Sequence, residues 1–303
     1  MIPRASDPLA DEVFDLAMSD GVRIEVRRYG CGRGKPCIVA SHGNGFAIDG
    51  YRVFWQPLLD AYELALFDSR NHGRNPRTRA DGHHYHQLAI DTGTIAREMR
   101  RRLPRTPLIG MFHSMSGRAA MKHAVQMEWA WDALVLFDPP NMPPAGHRLF
   151  GAMRSFEIKL VEFALTRPEH FDSVEAYVKQ LGESRATGRW QRQAIEDMAH
   201  AQLEPDPAGG FRLVCRPELE AMIYLAALSM DLWPAASCYR GPVLLVGADP
   251  ELRGSPPTGL ANQALAAEHG YRFAAIPETT HLLQIERPDG CRTAVDSFLH
   301  EVL

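Results

Sequence analysis

Five short runs of the chain, residues 37–40, 64–67, 108–112, 133–137 and 243–247, are apolar along their length and bounded by Pro, Gly or Asp. A strand with one wet face alternates apolar and polar residues, so unbroken runs this short require cover on both faces, as in a parallel sheet layered with helices. Helical patterns at 92–103, 117–127 and 257–268 fall between or beside them. This alternation predicts an α/β chain with a doubly wound, mostly parallel sheet. Residues 23–29 behave differently. Ile24, Val26 and Arg28 fall on one side and Arg23, Glu25 and Arg27 on the other, which predicts an antiparallel edge strand paired with 13–18. A strand near 272–276 and a helix at 288–303 close the chain.

One stretch breaks the rhythm. Residues 139–240 contain no buried-strand run, only helical patterns at 148–165, 174–181, 190–203 and 217–232. The expected organisation is therefore a core of residues 1–138 and 241–303, with a helical cap, 139–240, inserted after the sixth strand and lying over the sheet as a lid. At 45% hydrophobic and 23% charged residues, the 303-residue chain can bury a large core, which argues against disorder and coiled coil.

The charge balance, 33 Lys plus Arg against 37 Asp plus Glu, leaves a net −4 without a basic stripe, so nucleic acid is not an expected partner and a small-molecule substrate is. Residues 1–14 carry Asp7, Asp11 and Glu12 where a secretory signal needs an apolar stretch. The most lipid-like run, 221–230, is about half a bilayer span and meets Asp231 at once, so no membrane span is expected. Five cysteines, Cys31, Cys37, Cys215, Cys238 and Cys291, form an odd, scattered set with no C-x-x-C pair. They read as reduced thiols in a cytoplasmic protein, with neither a disulfide framework nor a zinc site.

Chemistry concentrates at 108–117, where Ser114 stands between an apolar run and a helix start rich in small residues. That is the setting of a nucleophile elbow, in which a strained turn presents the serine hydroxyl. Ser114 or Ser116 acting only as a helix N-cap is the alternative. Two later segments favour the elbow. The run at 243–247 leads into Ala248-Asp249, and Thr280-His281 follows the strand at 272–276. A serine hydroxyl attacks well only when an imidazole takes its proton, and the imidazole needs a carboxylate to fix its tautomer. Carboxyl ends of parallel strands converge, so distant residues can meet there. The candidates are Ser114 as nucleophile, His281 as base and Asp249 as acid, with Asp138 and then Glu251 as alternatives for the acid. Asp138 precedes Pro139-Pro140 and also reads as a plain exit turn.

Developing negative charge on the substrate oxygen requires donors. The Gly-bearing loop His42-Gly43-Asn44-Gly45 follows the 37–40 run, and the amides of Asn44 and Met115 are assigned to the oxyanion hole. Neither a Lys-Ser/Thr ending nor G-x-G-x-x-G is present, so a phosphate loop is not indicated. His42, Gly43, His113 and Trp190 are the candidate substrate-binding residues. His72 and His113 are expected to support the site's wall, and Asp68 and Arg70 to tie their own turn together. The His83, His84, His86 group reads as a solvated loop and not as a metal site.

These segments resemble the α/β-hydrolase superfamily over roughly 13–303. The resemblance rests on the 42–45 loop, on Asp68-Ser69-Arg70-Asn71-His72-Gly73-Arg74-Asn75 where that family writes D-x-R-x-H-G-x-S, on the Ser114 elbow, and on His281 followed by Glu286-Arg287-Pro288. The chain departs from the family pattern at Phe112 and Ser116, both glycine there, and at Asn75, serine there. The resemblance implies a serine hydrolase that needs no cofactor and cleaves an ester or similar acyl bond. Carbon–carbon bond hydrolysis, acyl transfer and a non-catalytic binding protein are the alternatives on the same scaffold. Serine at the elbow, where dehalogenases and epoxide hydrolases carry aspartate, disfavours those chemistries. Trp, Met and Phe residues in 139–240 suggest a small, mainly apolar substrate.

Overall fold

A computed structural model describes residues 7–303. Its elements run β1 (Glu12–Ala17), β2 (Arg23–Tyr29), β3 (Cys37–Ser41), α1 (Arg52–Trp55), β4 (Glu63–Phe67), α2 (Tyr85–Arg102), β5 (Leu108–His113), α3 (Ser114–Gln126) and β6 (Ala133–Phe137). Then follow α4 (Phe150–Thr166), β7 (His170–Phe171), α5 (Val174–Glu183), α6 (Arg192–Gln202), β8 (Leu203–Pro205), β9 (Phe211–Leu213) and α7 (Pro217–Ala227). The chain closes with β10 (Val243–Ala248), α8 (Thr258–His269), β11 (Arg272–Ile276), α9 (Leu283–Glu286) and α10 (Pro288–Val302).

Eight strands form one sheet in the order β1-β2-β4-β3-β5-β6-β10-β11. The β1–β2 and β2–β4 pairs are antiparallel and the remaining pairs parallel. The apolar runs become β3, β4, β5, β6 and β10, all buried along their length. Alternate side chains feed two cores. Ile38, Leu64, Ile109 and Val135 pack with Phe54, Trp55, Val295 and Phe298 on one face, and Val39, Ala65, Phe112, Leu134 and Leu245 with Ile95, Met99, Met121 and Leu265 on the other. Each large side chain so buried contributes about 1.5–3 kcal/mol.

β2 is not the edge strand its alternation suggests, because it pairs with β4 as well as β1. Arg23 is exposed, but Arg27 and Arg28 are buried and paired: Arg27 donates to Asp49 at 2.7 Å, and Arg28 reaches Glu12 at 2.6 Å and Glu63 at 3.3 Å. α2 begins earlier than its apolar pattern. His84 Nδ1 accepts from the Gln87 amide and caps it, and polar Gln87 and Asp91 fill buried positions of its first turns. Residues 139–240 are not purely helical, since β7, β9 and β8 form a small antiparallel sheet. Strands of two or three residues leave no hydrophobic period to read.

Candidate active site

β5 runs without a loop into α3, and the joint is Ser114, held at φ +52°. That left-handed conformation is costly for a residue with a Cβ. The turn is braced by Ser116, whose hydroxyl accepts from the His113 amide at 3.1 Å and donates to the His113 carbonyl at 2.9 Å. Phe112, the departure from the family pattern, does not crowd this joint. Its ring points into the opposite core, edge-on to Phe67 and Trp131.

Register then decides what stands beside Ser114. His113 pairs with Phe137 across β5 and β6, so the next residue of each strand, Ser114 and Asp138, lies at the same level. His281, on the loop after β11, bridges them: its Nε2 is 2.8 Å from Ser114 Oγ and its Nδ1 is 2.8 Å from Asp138 Oδ2. Asp138 is fully buried at φ +40° and also accepts from Thr258 Oγ1, Asn262 Nδ2 and the Ala248 amide. A carboxylate that only accepts fixes the His281 proton on Nδ1, leaving Nε2 to take the hydroxyl proton of Ser114.

Asp249, the residue expected against His281, is not there. Val246 pairs with Phe137, so Asp249 lies beyond the level of Asp138. Its two oxygens instead accept from the Glu278 amide at 2.8 Å and the Glu251 amide at 2.9 Å, bonds that hold its carboxyl below the ordinary range. It ties down the loop that carries His281. Glu251 is exposed, and no histidine bonds its carboxylate among the described residues.

The 42–45 loop folds back over the same edge. Gly43 is where a side chain has no room: a Cβ would lie 2.9 Å from His113 Nδ1 and 3.3 Å from Ser114 Cβ. A relay of buried neutral groups joins this loop to the backbone of His281. The Gly43 amide donates to Tyr51 Oη at 3.2 Å, and the Tyr51 hydroxyl donates to His113 Nδ1 at 2.8 Å. His113 Nε2 then donates to the His281 carbonyl at 2.8 Å. Burial, with the His281 charge second, holds His113 well below the ordinary histidine range, so it stays neutral. The Asn44 amide meets no acceptor among the described residues, and the Met115 amide belongs to the first turn of α3, whose N–H groups have no helical partner.

His42 and His72 work as buried spacers beneath the loop. His42 donates to the Gly43 carbonyl and accepts from the Ser69 amide, while His72 donates to the Arg70 carbonyl and accepts from the Gly45 amide. His83 is buried, not solvated, contacts Asn71 Nδ2 at 3.3 Å and is pushed by burial to about 4. No three His, Cys, Asp or Glu side chains among the described residues group as metal ligands would. Asp68 holds its own turn through the Arg74 amide and also accepts from Ile48, whereas Arg70 leaves the turn to pair with Asp91 and Asp20. Asn75 fills the family's serine position by donating to the Asp68 and Ser69 carbonyls.

Trp190 packs edge-on against Phe46 inside the core, 8% exposed. Residues 139–240 also bring buried charge together. Arg118 of α3 meets Glu157 of α4, and Arg167 meets Glu220 of α7, whose carbonyl accepts from Asn44 Nδ2 at 2.8 Å. Nothing in the sequence pairs these residues.

A family model described as the alpha/beta hydrolase family matches residues 38–294. The chain belongs to the alpha/beta hydrolase family. Among solved structures, this alpha/beta hydrolase is similar to an E-2-(acetamidomethylene)succinate hydrolase, at TM-score 0.76 and 19% identity over 95% of this chain and 100% of that one. It is similar to the N-formylmaleamic acid deformylase of Pseudomonas putida S16, at 0.67 and 16% over 94% and 100%. It also resembles the enol-lactonase of Burkholderia xenovorans LB400, at 0.65 and 18% over 95% and 100%. At such identities the likeness concerns the fold. No curated protein matches the chain. No helix among the described residues is long and apolar enough to cross a membrane.

Proposed function

We propose that this alpha/beta hydrolase is a serine hydrolase that cleaves a carboxylic ester or related acyl bond through an acyl-enzyme on Ser114. The observation that carries the reading is the unbroken chain from Ser114 Oγ to His281 to Asp138, 2.8 Å at each step, with the serine on a strained turn. His281 Nε2 takes the hydroxyl proton as Ser114 adds to the carbonyl carbon, and Asp138 stabilises the imidazolium through Nδ1–H. The amides of Asn44 and Met115 hold the oxyanion. His281 then protonates the leaving group, and water, activated by the same imidazole, releases the acid. Asp249 acts at one remove by anchoring the His281 loop. Residues 139–240 serve as the cap, since α7 reaches the oxyanion loop through the Asn44–Glu220 bond. The three similar structures named above are enzymes of different acyl compounds, which agrees with an acyl bond and leaves its surroundings to this chain's own residues.

Fluorophosphonate labelling with peptide mapping tests the nucleophile, and turnover of 4-nitrophenyl acetate tests the reaction. Label on Ser114, with turnover abolished in Ser114→Ala and in His281→Ala, is the expected result. Label elsewhere, or an active Ser114→Ala, refutes it.

A further inference from the structure

Arg118 stands one helical turn after Ser114 on α3. Its Nη1 lies 3.4 Å from Glu157 Oε1, and its Nη2 donates to the Ala227 carbonyl at 3.2 Å. The pair is almost wholly sealed from solvent, at 0% and 1% side-chain exposure. Yet it is poorly made. Arg118 Nε and Glu157 Oε2 have no hydrogen-bond partner among the described residues. A buried ion pair offsets its desolvation only when geometry is good and the remaining donors and acceptors are satisfied. One long contact and two unanswered atoms do not meet that condition, and such groups call for an explanation.

Resting on the serine hydrolase reading, we propose that Arg118 and Glu157 form a subsite for a carboxylate substituent of the substrate. The carboxylate would accept from Arg118 Nε–H and from Glu157 Oε2–H, the latter with Glu157 in its neutral form. Charge favours this over a cationic group. Glu157 is faced by Arg118 from α3, by His281 from the loop after β11, by Tyr85 from α2 and by Tyr224 from α7. Two of these are cationic or become so, and none is anionic while the phenols keep their protons. Burial raises both phenols, Tyr85 to about 12. Arg118 also lies over the Tyr85 ring, 5.1 Å from its centroid, which holds the guanidinium in place. Burial pushes the Glu157 carboxyl up to about 7 against the opposing charges of Arg118 and His281, so its neutral form is accessible near neutrality. The subsite replaces the mainly apolar substrate expected from the sequence with one bearing an anion at a distance from the scissile carbonyl.

Calorimetric titration of Ser114→Ala with glutarate at pH 6 and pH 8 tests the subsite without turnover. If only neutral Glu157 accepts the anion, a carboxyl titrating near 7 weakens binding about tenfold from pH 6 to pH 8. In Ser114→Ala/Glu157→Gln, glutarate still binds and that tenfold change disappears, which separates this carboxyl from His281. In Ser114→Ala/Arg118→Met binding is lost. Should the Met variant fail to fold, the isosteric Gln variant decides. Absence of glutarate binding at both pH values, the same pH dependence with and without Glu157, or tighter glutarate binding at pH 8 overturns the proposal. Turnover of 4-nitrophenyl acetate by the unaltered chain is read separately. Glutarate binding without that turnover retains the subsite and rejects the reaction, and the converse rejects the subsite alone.

Discussion

Asp138→Asn and Asp249→Asn make opposite demands on the structure and separate two accounts of the acid. Asp138 accepts from His281, Thr258, Asn262 and the Ala248 amide, so an asparagine must turn its NH2 toward one pair of these. Toward Ala248 N–H and Asn262 it meets a backbone donor that cannot reverse. Toward Thr258 and His281 it meets a hydroxyl that can rotate and an imidazole that can change tautomer. The second arrangement costs less, and it moves the His281 proton to Nε2, where the ring can no longer take the proton of Ser114. Loss of the base in an otherwise intact triad lowers kcat by about 10⁴, or roughly 5.5 kcal/mol of transition-state stabilisation. Asp249→Asn weakens charge-assisted bonds to the Glu278 and Glu251 amides, each worth about 1.5–3 kcal/mol at most, and leaves the His281 tautomer alone. Turnover of 4-nitrophenyl acetate should fall by orders of magnitude in the first variant and less than about tenfold in the second. Urea unfolding of both variants checks that the folded chains are being compared. An Asp249→Asn as inactive as Asp138→Asn would refute the reasoning from register.

Gly43→Ala should leave the fold in place but displace the imidazole relay, because the new methyl meets His113 Nδ1 at 2.9 Å and Ser114 Cβ at 3.3 Å. A shift of this kind near the reacting atoms costs about 10²-fold in kcat, and unchanged kinetics would show that the loop has slack. Glu157 should make the folded chain less stable as pH rises. Its folded carboxyl titrates at about 7, above the ordinary carboxylate value, so the folded state binds more protons between about 4.5 and 7. Stability is therefore lost upward through that window, by about 3 kcal/mol if the shift is taken whole. Urea unfolding at pH 5 and pH 8 should show Glu157→Gln gaining on the unaltered chain at the higher pH. An unchanged difference between the two chains would place the charge of Glu157 elsewhere.

What the chain order reveals and what it hides follows from the range of each signal. Ser114 and His281 are visible as candidates because each stands just past a strand and carries chemistry that its neighbours do not explain. The sheet itself is equally visible, since unbroken apolar runs at 37–40, 64–67, 108–112, 133–137 and 243–247 leave few alternatives to a doubly covered sheet. Register is not visible. Asp138 and Asp249 both end such runs, and only the pairing of Phe137 with His113 on one side and Val246 on the other places Asp138 level with Ser114. The prolines after Asp138 make it look like an exit turn, while its φ of +40° and four donors show a residue forced into place. Arg118 and Glu157 are hidden for a stronger reason. They are 39 residues apart on two helices, and each alone reads as an ordinary surface charge or a helix partner. Only the packing of α4 and α7 over α3 makes them a sealed pair, and buried charge is the part of a protein that neither hydrophobic period nor motif can announce. The features least legible in the sequence, the carboxylate bonded to His281 and the buried pair of Arg118 and Glu157, are thus the ones that depend on how two distant segments meet.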